Sequence, residues 1–117
     1  MEFIGERGVT LSGGQKARVA LARALFANRQ IYLLDNALTA LDKKVADRIF
    51  EKAVQEMLGN KTVVFVTTDV QRLAHCDRVV YMESGRVVGV APHEELLESC
   101  EAYALFCENT TLSSGLY

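Results

Sequence analysis

Proline occurs once, at Pro92, and no low-complexity or repeated segment interrupts the sequence, so nothing in these 117 residues marks an internal linker. That length suits one small domain and not two. Long hydrophobic runs are also missing. The longest, around Val19 to Ala27, is broken by Arg23, whereas a membrane span needs roughly 20 apolar residues. The first residues, Met1-Glu2-Phe3-Ile4-Gly5-Glu6, lack the basic and then apolar regions of a secretory leader, and none is expected. There is no excess of positive charge: Lys+Arg is 13, Asp+Glu is 15, the formal net charge is −2 and the pI is near 5.7. That balance argues against a nucleic-acid partner, which would call for a basic surface. Cysteines are few: Cys76, Cys100 and Cys107 are odd in number, show no CxxC spacing and read as reduced, partly buried thiols. His75 and His93 stand apart from each other and, the adjacent His75-Cys76 aside, from any cysteine at ligand spacing; helix-end histidines explain them better than metal ligands. Half the residues are hydrophobic and 24% are charged, a balance that can bury a core.

One further absence matters for chemistry. No GxxxxGK[ST] phosphate-binding loop is present. Gly59-Asn60-Lys61-Thr62 resembles the end of one, but it lacks the upstream glycine and joins a helix to a strand, the reverse of the required strand–loop–helix order. It reads as a turn.

What is present alternates between helix and strand. Beyond Gly13-Gly14, from Gln15, the residues Val19, Ala22, Leu25 and Phe26 recur at helical spacing among several alanines. Asn28-Arg29 breaks this helix, and Ile31-Tyr32-Leu33-Leu34, closed by Asp35, reads as a strand buried on both faces of a parallel sheet. Asp42 caps a second helix with an apolar stripe through Val45, Ala46, Ile49, Phe50, Ala53, Val54, Met57 and Leu58, stopped at Gly59-Asn60. Thr62 to Thr67 reads as a second buried strand, and Val70 to His75 as a short helix. Arg78 to Met82 and Arg86 to Val90 flank Ser84-Gly85 as a hairpin, Glu94 to Phe106 reads as helix, and 109–117 as a polar tail. Lys43-Lys44, Glu94-Glu95 and Glu98 read as solvated helix faces, and Tyr103 and Phe106 as core. The class is α/β.

Leu11-Ser12-Gly13-Gly14-Gln15 directly precedes the first helix. Two glycines let a backbone approach a phosphate closely, and a helix start directs free amides and partial positive charge to the same place. Ser12 adds a hydroxyl donor, and Gln15 can orient water or the ribose end of a nucleotide. A plain flexible turn would explain a lone Gly-Gly. Here the surrounding run, Ile4 to Gly8 and then Gln15 to Leu25, continues into Ile31-Tyr32-Leu33-Leu34-Asp35, Ala37-Leu38-Thr39-Ala40-Leu41-Asp42 and a strand ending Val66-Thr67. In that order and spacing, residues 4–108 resemble an ATP-binding cassette (ABC) of the C subfamily, the multidrug-resistance-associated type.

The resemblance implies the C-terminal part of a P-loop NTPase cassette over 1–108, with signature loop and helix at 1–28 and the remaining ATPase core at 29–108. It further implies a mainly parallel sheet with flanking helices and a C-terminal hairpin. The family's P-loop, Q-loop and adenine-stacking aromatic precede the signature and lie outside this sequence, so the chain is not expected to hold ATP by the usual route. In the family two cassettes close head to tail, and each signature loop meets ATP held by the other. Leu11, Ser12, Gly13, Gly14 and Gln15 are therefore implied nucleotide contacts, in trans. Ala40, Leu41 and Asp42 match the D-loop that communicates across the dimer, and Asp35 matches the aspartate that organises Mg²⁺ through water. A solvated strand-end carboxylate is the alternative for Asp35. Implied partners are a second cassette and transporter membrane domains, with the chain at the cytoplasmic face of a membrane.

Two positions depart from the pattern. Where a hydrolysing cassette carries a water-polarising Glu, this chain has Asn36, whose amide can hold a water but cannot take its proton. Where the switch histidine stands, it has Thr68. Loss of a general base costs on the order of 10²–10⁴ in rate, so the cassette's own site is expected to be non-hydrolytic; a fast cassette with unusual residues is the alternative. Asymmetric C-subfamily transporters pair such a site with a competent one, and an intact signature beside Asn36 and Thr68 fits their first cassette. A truncated interaction or regulatory module is the competing functional reading.

Overall fold

The computed structural model describes residues 12–115, and the chain divides into two compact units, Met1–Val66 and Thr67–Tyr117. In the first unit α1 (Gly13–Phe26) is followed by β1 (Ile31–Asp35), α2 (Lys43–Ile49), a π-helical stretch (Phe50–Met57) and β2 (Thr62–Val66). The helix α1 starts at Gly13, two residues before the apolar periodicity becomes readable, because Ser12 caps it. Asn28 terminates it in the left-handed region, φ 49°, a conformation that asparagine tolerates better than most residues. The Tyr32 hydroxyl accepts the Arg29 amide N–H at 2.9 Å and ties the following loop to β1.

The strands β1 and β2 pair in parallel from Ile31↔Thr62 to Asp35↔Val66. Tyr32 and Leu34 point to a core with Leu21, Leu38, Ala46 and Phe50, where Phe50 meets Phe65 edge-on at 5.4 Å. Asp42 caps α2 by accepting the Val45 amide at 2.9 Å. The sequence predicts one uniform helix as far as Leu58, but the backbone widens beyond Ile49, and the Leu58 amide bonds to the Ala53 carbonyl at 3.0 Å. This wider turn keeps Phe50, Ala53 and Leu58 all in the core.

The expectation that β1 and β2 are buried on both faces needs correction. Both faces are apolar, yet only one is covered. Ile31 is 63% exposed and Leu33 75%, with Val64 and Val66 beside them. The period of two along each strand puts these four side chains on one open surface.

The second unit contains α3 (Val70–Leu73), β3 (Val79–Glu83), β4 (Arg86–Ala91), α4 (His93–Ser99) and α5 (Glu101–Gly115). The expected hairpin is present: β3 and β4 pair antiparallel, turning through Ser84 (φ 50°) and Gly85 (φ 75°). Two successive left-handed residues give the twist that matches a tight hairpin. Val79 and Ala91 share a core with Leu96, Tyr103 and Cys107. Tyr103 is fully buried, its hydroxyl 2.7 Å from His93 Nδ1; burial pushes the pKa of this phenol well up. Gly89 lets α4 lie close on the hairpin, since a Cβ there would stand 2.8 Å from Leu96 Cδ1 and 3.5 Å from Cys100 Sγ. The opposite hairpin face, with Val80, Met82, Val87 and Val90, is exposed.

Two sequence expectations change here. The helix read over Glu94 to Phe106 is two helices, because Cys100 adopts extended backbone (φ −128°, ψ 100°) between them. The stretch read as a polar tail from Asn109 is helical to Gly115. The stripe Tyr103, Phe106, Cys107 and half-buried Thr110 carries the helical face past Glu108. All three cysteines are free thiols, and burial, ahead of the nearby Asp77 carboxylate, raises the Cys76 pKa. Among the described residues, no helix is long and apolar enough to cross a membrane.

Exposed apolar sheet faces drive association. Sedimentation velocity of the isolated chain is expected to show species larger than the 12.9 kDa monomer, shifting toward monomer in Leu33→Lys with Val64→Lys. A monomeric, cooperatively melting parent chain would contradict this.

Candidate functional site

One group of chemistry-bearing residues lies where α1 begins. Ser12, in extended backbone, accepts the Gln15 amide on its Oγ at 3.1 Å, while the Ser12 amide donates to Gln15 Oε1 at 2.9 Å. This reciprocal capping box satisfies two of the amides that any helix start leaves over. The amides of Gly13 and Gly14, between them, have no partner among the described residues. The Ser12 hydroxyl hydrogen is uncommitted, and so is Gln15 Nε2; Gln15 Oε1 is spent within the box. Among the described residues the site thus offers several uncommitted donors beside the positive end of a helix dipole. Leu11 lies outside the described residues.

Why glycine stands at both positions is informative. Neither Gly13 nor Gly14 has a positive φ, so backbone conformation does not require it. Crowding does not require it either. A Cβ on Gly13 would meet only Ala40 Cβ at 3.7 Å, and one on Gly14 would meet Ala40 O and Leu41 Cδ2, both at 3.4 Å. These are ordinary contacts, while glycine in a helix costs roughly 0.5–1 kcal/mol relative to alanine. Among the described residues, then, nothing requires glycine at position 13, and at position 14 a Cβ would fit only at the near edge of ordinary contact. What they leave is two amides without a partner among the described residues.

The same distances show what α1 rests on. The segment that the sequence assigns to a D-loop, Ala40-Leu41-Asp42, is the seat of the signature glycines. It is built by two overlapping turns, with Thr39 N–H donating to Asn36 O and Leu41 N–H to Leu38 O, each at 3.2 Å, before Asp42 caps α2. Sequence reasoning gave these residues a role across a dimer and missed this contact within the unit, because nothing in a one-dimensional pattern brings residue 14 beside residue 40.

Asp35 ends β1 as expected, exposed, and its carboxylate has no partner among the described residues. A lone hard oxygen donor of this kind suits Mg²⁺ through its water shell. Asn36 follows in the left-handed region, φ 52°, its amide N–H donating to Val66 O at 2.9 Å. Thr68 lies in the second unit, exposed, between β2 and α3. Its flanks are held by Thr67 Oγ1, which accepts the Asp69 amide at 3.0 Å, and by Asp69, which caps α3 and pairs with the buried Arg72 at 3.4 Å. The Asp69–Arg72 pair was not anticipated; a carboxylate three residues before an arginine is its only sequence signal.

Comparison with known proteins identifies the family. The ABC transporter family model matches residues 1–39. The probable multidrug resistance-associated protein lethal(2)03659 of Drosophila melanogaster is 45% identical over 97 residues, covering 83% of this chain and 7% of that protein. The ATP-binding cassette sub-family C member 10 of Homo sapiens is 41% identical over 99 residues, 85% of this chain and 7% of that protein. ABC transporter C family member 7 of Arabidopsis thaliana is 41% identical over 96 residues, covering 82% of this chain and 6% of that protein. The chain thus spans less than a tenth of these relatives. Among solved structures, a bacterial Atm1-family ABC exporter with ATP bound superposes with a TM-score of 0.83 at 30% identity, over 92% of this chain and 19% of that one.

If glycine is dispensable for folding at position 13, Gly13→Ala should leave urea stability unchanged or raise it by about 0.4–1 kcal/mol. A loss of about 1 kcal/mol or more would show that the fold itself needs the glycine. These relatives show that the chain belongs to the ABC transporter family, matching part of C-family members in sequence and part of an ABC exporter in fold.

Proposed function

We propose that this chain supplies a signature surface in trans: Ser12, Gly13, Gly14 and the Gln15 amide group contact the phosphates of ATP held on the P-loop of a second cassette. The observation that carries this reading is the pair of amides at Gly13 and Gly14 that have no partner among the described residues, at a helix start capped by Ser12. Such amides recognise phosphate through hydrogen bonds and the helix dipole. In a complete cassette Asp35 would organise Mg²⁺, which supplies charge neutralisation at the phosphates. ATP and Mg²⁺ are thus ligands shared between the two cassettes.

On this reading the chain's own nucleotide site turns over slowly or not at all. Asn36 lacks a basic atom, and Thr68 offers a hydroxyl in place of an imidazole. The competent site is the other one, completed by this chain's signature. The cassettes would work beneath transporter membrane domains, at the cytoplasmic face, in an exporter of the multidrug-resistance-associated type.

The test adds the chain to an isolated C-family second cassette with Mg-ATP and measures phosphate release. Stimulated turnover is expected, and Ser12→Arg, which fills the free surface with a long side chain, should abolish it. No stimulation at high concentration of a folded chain would overturn the reading.

A further inference from the structure

The geometry points to Asn36 as a positioning residue whose left-handed backbone, and not its side-chain amide, sets the seat on which the signature helix stands. This deepens the proposed reading, since the seated surface is the one proposed to meet nucleotide.

The path can be followed bond by bond. The ladder of β1 and β2 ends as the Asn36 amide N–H donates to Val66 O at 2.9 Å. At that residue φ becomes +52°. The reversal turns the Asn36 carbonyl to accept the Thr39 amide at 3.2 Å, and the second turn, Leu41 N–H to Leu38 O, follows directly. These two turns deliver Ala40 O and Leu41 Cδ2 to the positions 3.4 Å from where a Gly14 Cβ would stand, and Ala40 Cβ beneath Gly13. Leu38, inside the first turn, is buried in the same core as Leu21 of α1. An extended or right-handed residue at position 36 would send the carbonyl elsewhere and move the support from under α1.

The residue type fits that demand. L-residues with a Cβ pay for the left-handed region, and asparagine and aspartate are the non-glycine residues that enter it most readily. Meanwhile the Asn36 side chain is exposed and has no hydrogen-bond partner among the described residues, so no contact among them depends on the amide. An amide at the hydrolytic position is therefore accounted for by backbone conformation as well as by absent base chemistry.

The test compares Asn36→Gly, Asn36→Asp and Asn36→Ala in the full chain, reading the backbone amide resonances of Gly13 and Gly14 together with thermal stability. Glycine and aspartate, which keep the left-handed conformation at little cost, should leave both glycine resonances in place. Alanine should shift them and lower Tm by about 4–8 °C. If alanine fails to fold, Asn36→Ser provides the milder strain, with the same direction of change expected. The inference is overturned if alanine or serine leaves the glycine resonances and Tm at parent values. It is equally overturned if glycine and aspartate disturb them as much as alanine does, which would make the amide the active feature. No nucleotide enters this experiment, so its outcome is independent of whether the trans-signature reading holds.

Discussion

The arrangement on which the rest depends is the contact between the start of α1 and the turns that follow β1. Ser12 and Gln15 close a capping box that satisfies their own amides, and the two glycines between them rest on Ala40 and Leu41. That support comes from a turn anchored on the ladder of β1 with β2. Signature, strand-end carboxylate and D-loop are therefore one mechanical piece, with the carboxylate of Asp35 and the free amides of Gly13 and Gly14 fixed to a common frame. On the proposed reading, a phosphate arriving at the amides would meet donors whose positions were set during folding, so little reorganisation would be needed on binding.

The same frame is only half clothed. Cores form on one side of each strand pair, around Leu34 and Phe50 in the first unit and around Leu96 and Tyr103 in the second. The opposite faces, with Leu33 and Val64 in one unit and Val80 and Val90 in the other, remain apolar and exposed. Burial of such surface contributes about 25 cal/mol per Å², so each uncovered face is stabilisation not realised within these residues. A chain matching less than a tenth of its relatives' length has in those relatives much further polypeptide that could supply the cover.

Much of this was legible in the sequence for identifiable reasons. Alanine periodicity and Asp42 announce two helices because each is a local preference, whereas Gly13-Gly14, read as the end of a loop, opens α1. The paired strands and the Ser84-Gly85 hairpin follow from short apolar runs and a two-residue turn. Where the reading fell short, the cause was tertiary. Apolar residues on both sides of Ile31 to Leu34 signal potential burial, but not whether a neighbour is present to bury them. The π-helical widening after Ile49 and the break at Cys100 are adjustments to packing against Phe65 and the hairpin, invisible to a fixed period of 3.6. The helix through Asn109 carries polar residues that composition alone assigns to a tail. At the site, residue types suggested roles for Asp35, Asn36 and Gly13-Gly14, while the seat beneath the glycines and the left-handed turn at Asn36 are visible only in three dimensions.

The claim that those two amides face a nucleotide held by another cassette is tested most directly by hydrogen exchange at Gly13 and Gly14 in the presence of a hydrolysis-deficient C-family second cassette. The account predicts slowed exchange at both amides only when cassette and Mg-ATP are present together. Slowing by Mg-ATP without the second cassette, or unchanged exchange in a complex shown to have formed, would contradict it.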